Sequence, residues 1–176
     1  HYTEQKKKIF SYLRKFIYIY ANYVATYPRL VAVAYDLNFR HAAEIFSGVA
    51  DQVRESGLDW QLLPLNFGFE AKLMELAASK RLAGAIGTFV SNQWIEGLLD
   101  HEVAAVNLFN FSDITCVPSI TLNDSAIAQC AATHLIEQGA KSLTFISQDG
   151  AYFNRIRRKS FKISCPPNSY REVEPM

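Results

Sequence analysis

Apolar and polar positions follow two alternating patterns along residues 29–147, one typical of strands and one typical of helices. Short apolar runs predict strands at Leu30 to Tyr35, Trp60 to Leu65, Gly84 to Val90, Val103 to Leu108, Ser119 to Leu122 and Leu143 to Ser147. Apolar residues at helical spacing predict helices between them, at His41 to Ser56, Glu70 to Arg81, Gln93 to Leu99 and Ser125 to Gln138. Because strands that alternate with helices favour parallel pairing, the predicted fold class is α/β, a Rossmann-like parallel sheet with helices on both faces.

Local signals agree with this pattern. Leu30 to Tyr35 is a continuous apolar run, as expected for a strand buried on both faces. Gly57 and Gly139 each follow a predicted helix, at the position where a left-handed residue commonly ends one. A hairpin-like connection is predicted over Phe109 to Val117, ahead of the fifth strand.

The two ends of the chain lack this regularity. Residues 1–28 mix Lys, Ile, Phe and Tyr without a clear period and are predicted to be an irregular leader. A basic arm that touches nucleic acid or membrane is the alternative for that segment. Residues 162–176 contain Pro166-Pro167 and no periodic pattern, which predicts an irregular tail.

Composition narrows the class of protein. The chain has 176 residues and a net charge of +1, so it carries no overall bias toward nucleic acid or acidic partners. Its three cysteines form no disulfide framework, which favours a cytoplasmic location. The apolar stretch Ile9 to Tyr23 is interrupted by Arg14 and Lys15, so no membrane association is expected. Since the sequence begins at His1, we expect a fragment or a processed product.

Familiar catalytic patterns are missing from the sequence. No GxGxxG follows the first predicted strand, and neither GxxxxGK[ST] nor GxSxG occurs. His41 and Glu44 could form one edge of a metal site, but a third ligand has no obvious source, so a capping or surface pair is the stronger interpretation. The prediction is a protein that is not an enzyme and that needs no cofactor or metal.

Three loops at the carboxyl ends of predicted strands carry polar groups suited to a ligand. Their candidate binding residues are Asp36, Asn38 and Phe39 in the first, Asn123 and Asp124 in the second, and Gln148 and Arg157 in or after the third. Helix capping is the structural alternative for the first two loops, and a solvated basic helix face is the alternative for the third. Amides, carboxylates, a guanidinium and an aromatic ring together suit a polyhydroxylated ligand.

Several segments resemble the sugar-binding fold shared by lactose-repressor-type regulators and ribose-binding-type periplasmic proteins. The opening VAVAYDLNFRHAAEIFSGVADQVRESG is similar to the first βαβ unit of that family, and RLAGAIG and VAAVNL are similar to later strands. The segment ITLNDSAIAQCAATHLIEQGAKSLTFIS is the best match, and RRKSF looks like the family's R-x-x-G-F with Ser160 in place of Gly. Within that family, these sequence motifs are most similar to those of effector domains of the xylose-operon-regulator type.

This resemblance implies a domain organisation and a function. It implies a leader (1–28), an N-terminal lobe (29–122), the start of a second, truncated lobe (123–161) and a tail (162–176). The seven candidate residues become effector contacts of a bacterial transcription regulator that responds to a sugar. The alternative is a periplasmic-type solute-binding protein for a sugar transporter. DNA contact is expected only through a module absent from this sequence, and a homodimer is a candidate assembly.

Overall fold

The computed structural model describes residues 29–35, 40–66, 68–146, 150–171 and 173. Its elements in chain order are β1 (Arg29–Ala34), α1 (Arg40–Glu55), β2 (Trp60–Leu65), α2 (Glu70–Ala78), β3 (Leu82–Gly87), α3 (Asn92–Asp100), β4 (Ala104–Leu108), β5 (Ser119–Ile120), α4 (Asp124–Glu137), β6 (Leu143–Thr144), α5 (Tyr152–Ser164) and β7 (Tyr170–Arg171). The predicted leader, residues 1–28, lies outside the described residues.

The chain divides into two compact units. The first unit comprises His1–Leu108 and Thr115–Ile120, and the second comprises Phe109–Ile114 and Thr121–Met176. The sequence predicted a boundary between residues 122 and 123. The structure differs in two respects. Thr121 and Leu122 already belong to the second unit, and Phe109–Ile114 packs with that unit although it precedes β5.

The first unit is built on a five-stranded sheet in the order β2-β1-β3-β4-β5. Every neighbouring pair in it is parallel, which confirms the predicted fold class. From β1 the chain runs to β2 on one side and then returns past β1 to β3, β4 and β5 on the other. The right-handed crossovers expected for parallel strands then place α1 on one face and α2 and α3 on the other. Gly97 of α3 lies against the Met74 side chain of α2, as neighbouring helices on one face require.

The centre of this sheet is buried on both faces. Four consecutive residues of β1, from Val31 to Ala34, are at most 3% exposed. At the carboxyl end of the sheet, β1 and β3 approach so closely that a Cβ added to Gly87 would lie 2.5 Å from the carbonyl oxygen of Ala34. Glycine is therefore required at position 87 for this strand pairing.

The second unit is a smaller α/β arrangement. Strands β6 and β7 are parallel and joined by α5, a βαβ connection. One face of this short sheet packs on a core of Ala128 and Ala132 from α4, Leu143 from β6 and Phe161 from α5. The Phe161 ring also lies 5.5 Å from the Phe145 ring, centroid to centroid. Both helices are thereby fixed to the same sheet.

Two predicted features of the second half differ from the structure. The tail predicted to be irregular from residue 162 continues α5 to Ser164 and then forms β7. Tyr170 of β7 packs edge-on against Phe161, and this tertiary contact orders a strand too short to show a period of two. The connection from Phe109 to Val117 forms no paired strands and is not a hairpin.

Across the described ranges, none of the helices has the length and apolar character needed to cross a bilayer.

Candidate functional site

The structure describes three of the seven candidate residues, and all three belong to the second unit. They are Asn123, Asp124 and Arg157. Asp36, Asn38, Phe39 and Gln148 lie outside the described residues, so their role in binding stays a prediction.

Asp124 is the first residue of α4, and its carboxylate is buried. Its side chain is 3% exposed, and both oxygens accept hydrogen bonds. Oδ1 accepts from Nε of Arg157 at 2.8 Å, and Oδ2 accepts from Nδ2 of Asn110 at 2.9 Å. A carboxylate at this position also interacts favourably with the positive end of the α4 dipole. A buried charge requires such partners, and Asp124 has them on both sides.

Arg157 lies on α5, 33 residues from Asp124 in sequence, and is held from two directions. Its guanidinium carbon lies 4.8 Å from the centroid of the Phe153 ring, a cation–π contact one helical turn away. Its side chain is 28% exposed, and no described residue accepts a hydrogen bond from its Nη groups. The ion pair and the stacked ring orient a guanidinium that still has donors to offer.

Asn123 has a structural role as the N-cap of α4. Its side-chain oxygen accepts a hydrogen bond from the backbone N–H of Ala126 at 3.0 Å. Asn123 thus caps α4, whereas Asp124 pairs with Arg157.

An open cleft of about 390 Å³ lies at the start of α4, within the second unit. Its walls combine hydroxyl, amide and aliphatic groups from Asn110, Thr121, Leu122, Asn123, Asp124, Ser125 and Ile156. The only ionisable group among these residues, Asp124, is paired with Arg157. The cleft therefore presents neutral polar groups beside the two aliphatic side chains, Leu122 and Ile156.

Asn110 is a site residue that the sequence did not identify. It lies in the connection after β4, where no pattern marked it, and it contacts both helices of the second unit. One signal could have found it: like Asn123 and Asp124, it is a polar residue just beyond the carboxyl end of a predicted strand.

The carboxyl edge of the first unit is also polar. The hydroxyl of Tyr35 lies 2.8 Å from Nε2 of His41, and burial raises the pKa of Tyr35. Asn107 is buried, accepts from the backbone N–H of Phe89 at 3.1 Å and donates to Oγ of Ser119 at 3.1 Å. These contacts tie β1 to α1, and β4 to the residues after β3 and to β5.

The described residues offer no obvious metal ligands. His41 pairs with Tyr35, and Glu44 pairs with Arg40 at 3.1 Å, so the two do not face a common ion. No group of three or more His, Cys, Asp or Glu side chains that could hold a metal occurs in the part of the chain that the structure describes.

Solved structures similar to this chain include regulators and solute-binding proteins. A LacI transcriptional regulator from Lactobacillus brevis superposes with a TM-score of 0.68 and 18% identity, covering 84% of this chain and 58% of that chain. The substrate-binding protein of a sugar ABC transport system from Bordetella parapertussis gives 0.66 and 15%, covering 86% and 52%. The LacI family regulator CcpA from Weissella paramesenteroides, solved with bound glucose, gives 0.62 and 16%, covering 83% and 58%.

These comparisons confirm the predicted fold. It is the fold of the periplasmic-binding-protein-like effector domains of LacI-type regulators, and of sugar-binding proteins of transporters. This chain spans between half and three fifths of the length of those three structures. No protein-family model and no curated protein sequence matches the chain.

Proposed function

We propose that this chain is the sugar-binding part of a bacterial transcription regulator, with a first lobe and the beginning of a second. The observation that carries the proposal is the cleft at the start of α4, which is lined by hydroxyl and amide groups. It occurs on a fold shared with regulators solved with glucose and with cellobiose. Binding rather than catalysis is proposed, because Asp124 and Arg157 neutralise each other and the described residues that line the cleft include no activated nucleophile beside a base.

The charge balance of the cleft narrows the class of ligand. A sugar phosphate or a sugar acid brings a negative charge that needs an unpaired cation, and the guanidinium of Arg157 is already paired. A neutral sugar brings only hydroxyls, which the hydroxyls of Thr121 and Ser125 and the amides of Asn110 and Asn123 can hold. The proposed effector is therefore a neutral pentose or hexose.

A ligand titration tests the proposal. Ligand-detected NMR with neutral aldopentoses and aldohexoses should show binding near the millimolar range, or about −4 kcal/mol, because only part of a two-lobed binder is present. Sugar phosphates and uronic acids should bind more weakly.

Two substitutions on α4 provide the site control. Asp124→Asn should reduce binding, whereas Glu137→Gln, which removes an exposed carboxylate from the other end of α4, should leave it unchanged. Absence of binding to every neutral sugar tested would contradict the proposal.

The alternative function, a solute-binding protein of a sugar transporter, has a specific observation in its favour. The transport protein from Bordetella parapertussis superposes almost as well as the regulator from Lactobacillus brevis does. Sugar binding is common to both functions, so the coding sequence around this chain distinguishes them. A regulator would carry a DNA-binding module on the same polypeptide, and a transport protein would carry a secretion signal.

DNA binding, assembly and location belong to the parent protein in this proposal. We assign DNA contact to a separate module and a cytoplasmic location to the whole protein, with a homodimer as the assembly to test. The near-neutral charge of the chain supports the first assignment. In a mobility-shift assay at physiological salt with competitor DNA, the chain alone should show no specific complex.

A further inference from the structure

We infer that Asn110 is a positioning residue that holds the Asp124–Arg157 pair in its binding geometry. The inference rests on the proposed function for its effect on a sugar, but not for its effect on Arg157. All the contacts that carry it lie within the second unit. They involve the main chain and the side chain of the same residue, and each contact reaches a different helix.

The main chain around Asn110 replaces the missing N-cap of α5. The residue at the N-cap position is Ala151, whose side chain cannot accept a hydrogen bond, so the first N–H groups of the helix need other partners. The carbonyl of Phe111 accepts from the N–H of Tyr152 at 2.8 Å, and the carbonyl of Asn110 accepts from the N–H of Phe153 at 2.7 Å. The start of α5 is therefore fixed by this segment.

The side chain of Asn110 reaches the other helix. Its amide nitrogen donates to Oδ2 of Asp124 at 2.9 Å, which leaves Oδ1 to accept from Nε of Arg157. A buried carboxylate with one fixed oxygen cannot rotate without losing that hydrogen bond. Because the Asp124 side chain is only 3% exposed, water cannot easily replace the amide.

These contacts link one residue to the orientation of the guanidinium. Asn110 sets where α5 begins and how the Asp124 carboxylate is turned, and Arg157 depends on both. Asn110 also contributes to the cleft wall, next to Leu122 and Ser125. Loss of its amide should therefore loosen Arg157 without removing any group of Arg157 itself.

Three variants separate this role from a general effect on folding. Asn110→Ala removes the amide but keeps the main-chain carbonyl that holds α5. Asn110→Asp places a second carboxylate against that of Asp124. The double variant Asn110→Asp with Asp124→Asn exchanges the two groups, so that an amide at 124 again donates to a carboxylate at 110 and its oxygen can still accept from Arg157.

The first measurement needs no ligand. The Nε–H signal of Arg157 is assigned in ¹⁵N NMR spectra by its loss in Arg157→Lys, and its exchange with water is compared with that of the backbone amides of α5. Asn110→Ala should speed the Nε–H exchange about tenfold, as expected for loss of one charge-assisted hydrogen bond, while the α5 amides stay protected. Asn110→Asp should speed it further, and the double variant should restore part of the protection.

Unchanged Nε–H exchange in Asn110→Ala would overturn the inference. So would equal acceleration of the Nε–H and of every α5 amide, since that would be general loosening of the unit. The failure of Asn110→Asp to be rescued by Asp124→Asn would also count against it.

The second measurement is sugar titration of the same variants. Asn110→Ala should weaken the affinity about tenfold, and the double variant should recover part of the loss. If the unsubstituted chain binds no sugar while the Nε–H exchange behaves as expected, the positioning role stands and the proposed function fails. If the chain binds sugar and Asn110→Ala binds it equally well, the positioning role is overturned and the proposed function stands.

Discussion

The two partners of the buried ion pair should not be equally costly to remove. Arg157→Met keeps an unbranched apolar stem but removes the guanidinium, which leaves the Asp124 carboxylate, whose side chain is 3% exposed, with Asn110 as its remaining described partner. Breaking a buried ion pair in this way costs about 3–5 kcal/mol of unfolding free energy. Asp124→Asn leaves a guanidinium that is 28% exposed and can turn toward water, so we expect a cost of about 1–2 kcal/mol.

The difference between the two variants is therefore the quantity to measure. Arg157→Met should be less stable than Asp124→Asn by about 2 kcal/mol. Lys159→Met is the matched control, because Lys159 is an exposed cation on the same helix, and its loss should cost less than about 0.5 kcal/mol.

The two units require separate probes of unfolding. Both tryptophans, Trp60 on β2 and Trp94 on α3, belong to the first unit, so tryptophan fluorescence reports that unit alone. Hydrogen exchange of the amides in α4 and α5 gives the free energy of opening the second unit. The reasoning would be refuted if Asp124→Asn cost as much as Arg157→Met, because the asymmetry of burial would then not govern the pair.

Three further outcomes are expected. Gly87→Ala should lower the unfolding free energy of the first unit by about 3 kcal/mol, because the added Cβ meets backbone atoms. Urea titration followed by tryptophan fluorescence measures this loss. Gly84→Ala is the control and should cost far less, because the nearest atom to its added Cβ is 3.5 Å away. Asn107→Leu should cost about 2 kcal/mol in the same assay, since it leaves a buried backbone N–H without its acceptor, and an unchanged midpoint would contradict this. In alkylation followed by mass spectrometry, Cys165 should react more slowly than the exposed Cys130, and its alkylation rate should still rise above pH 9. The reason is that burial raises the pKa of Cys165, so its thiolate forms only at higher pH. Equal rates for the two cysteines at pH 8 would count against this.

Sequence periodicity predicted the elements well but not all of their ends. The third strand was predicted over Gly84 to Val90 and is observed over Leu82–Gly87. The apolar run extends beyond the strand because Phe89 is buried at 1% exposure, while its N–H bonds to the side chain of Asn107 rather than to a neighbouring strand. Apolar character reports burial, and in this case burial and strand pairing end at different residues.

The end of α2 illustrates a second limit of sequence patterns. The helix was predicted to reach Arg81 and ends at Ala78. Lys80 takes the left-handed conformation, with φ of 55°, that glycine usually supplies, and its N–H bonds to the carbonyl of Ala77. A lysine gives no sequence signal for that turn, because only the backbone conformation distinguishes it.

The candidate site was predictable in its residue types and not in its connections. Asp124 and Arg157 were each identified from their place after a strand or in a helix, yet they are 33 residues apart and their contact depends on how α4 packs against α5. Asn110 was missed because its importance lies in one main-chain and one side-chain hydrogen bond, and both depend on tertiary packing rather than on sequence spacing.

Phe109–Ile114 belongs to the second unit although the chain then returns to the first, which limits how the protein can be divided into fragments. The chain passes between the units three times, after Leu108, Ile114 and Ile120, and β5 is added to the sheet only on the return. During synthesis, the first unit stays incomplete until part of the second has already been made. No single cut yields two whole units, since a break after Leu108 would leave β5 on the other fragment, held to the first unit only by noncovalent contacts such as its pairing with β4. The two units are thus interleaved along the sequence, and expressing either one alone would require joining separate segments of the chain.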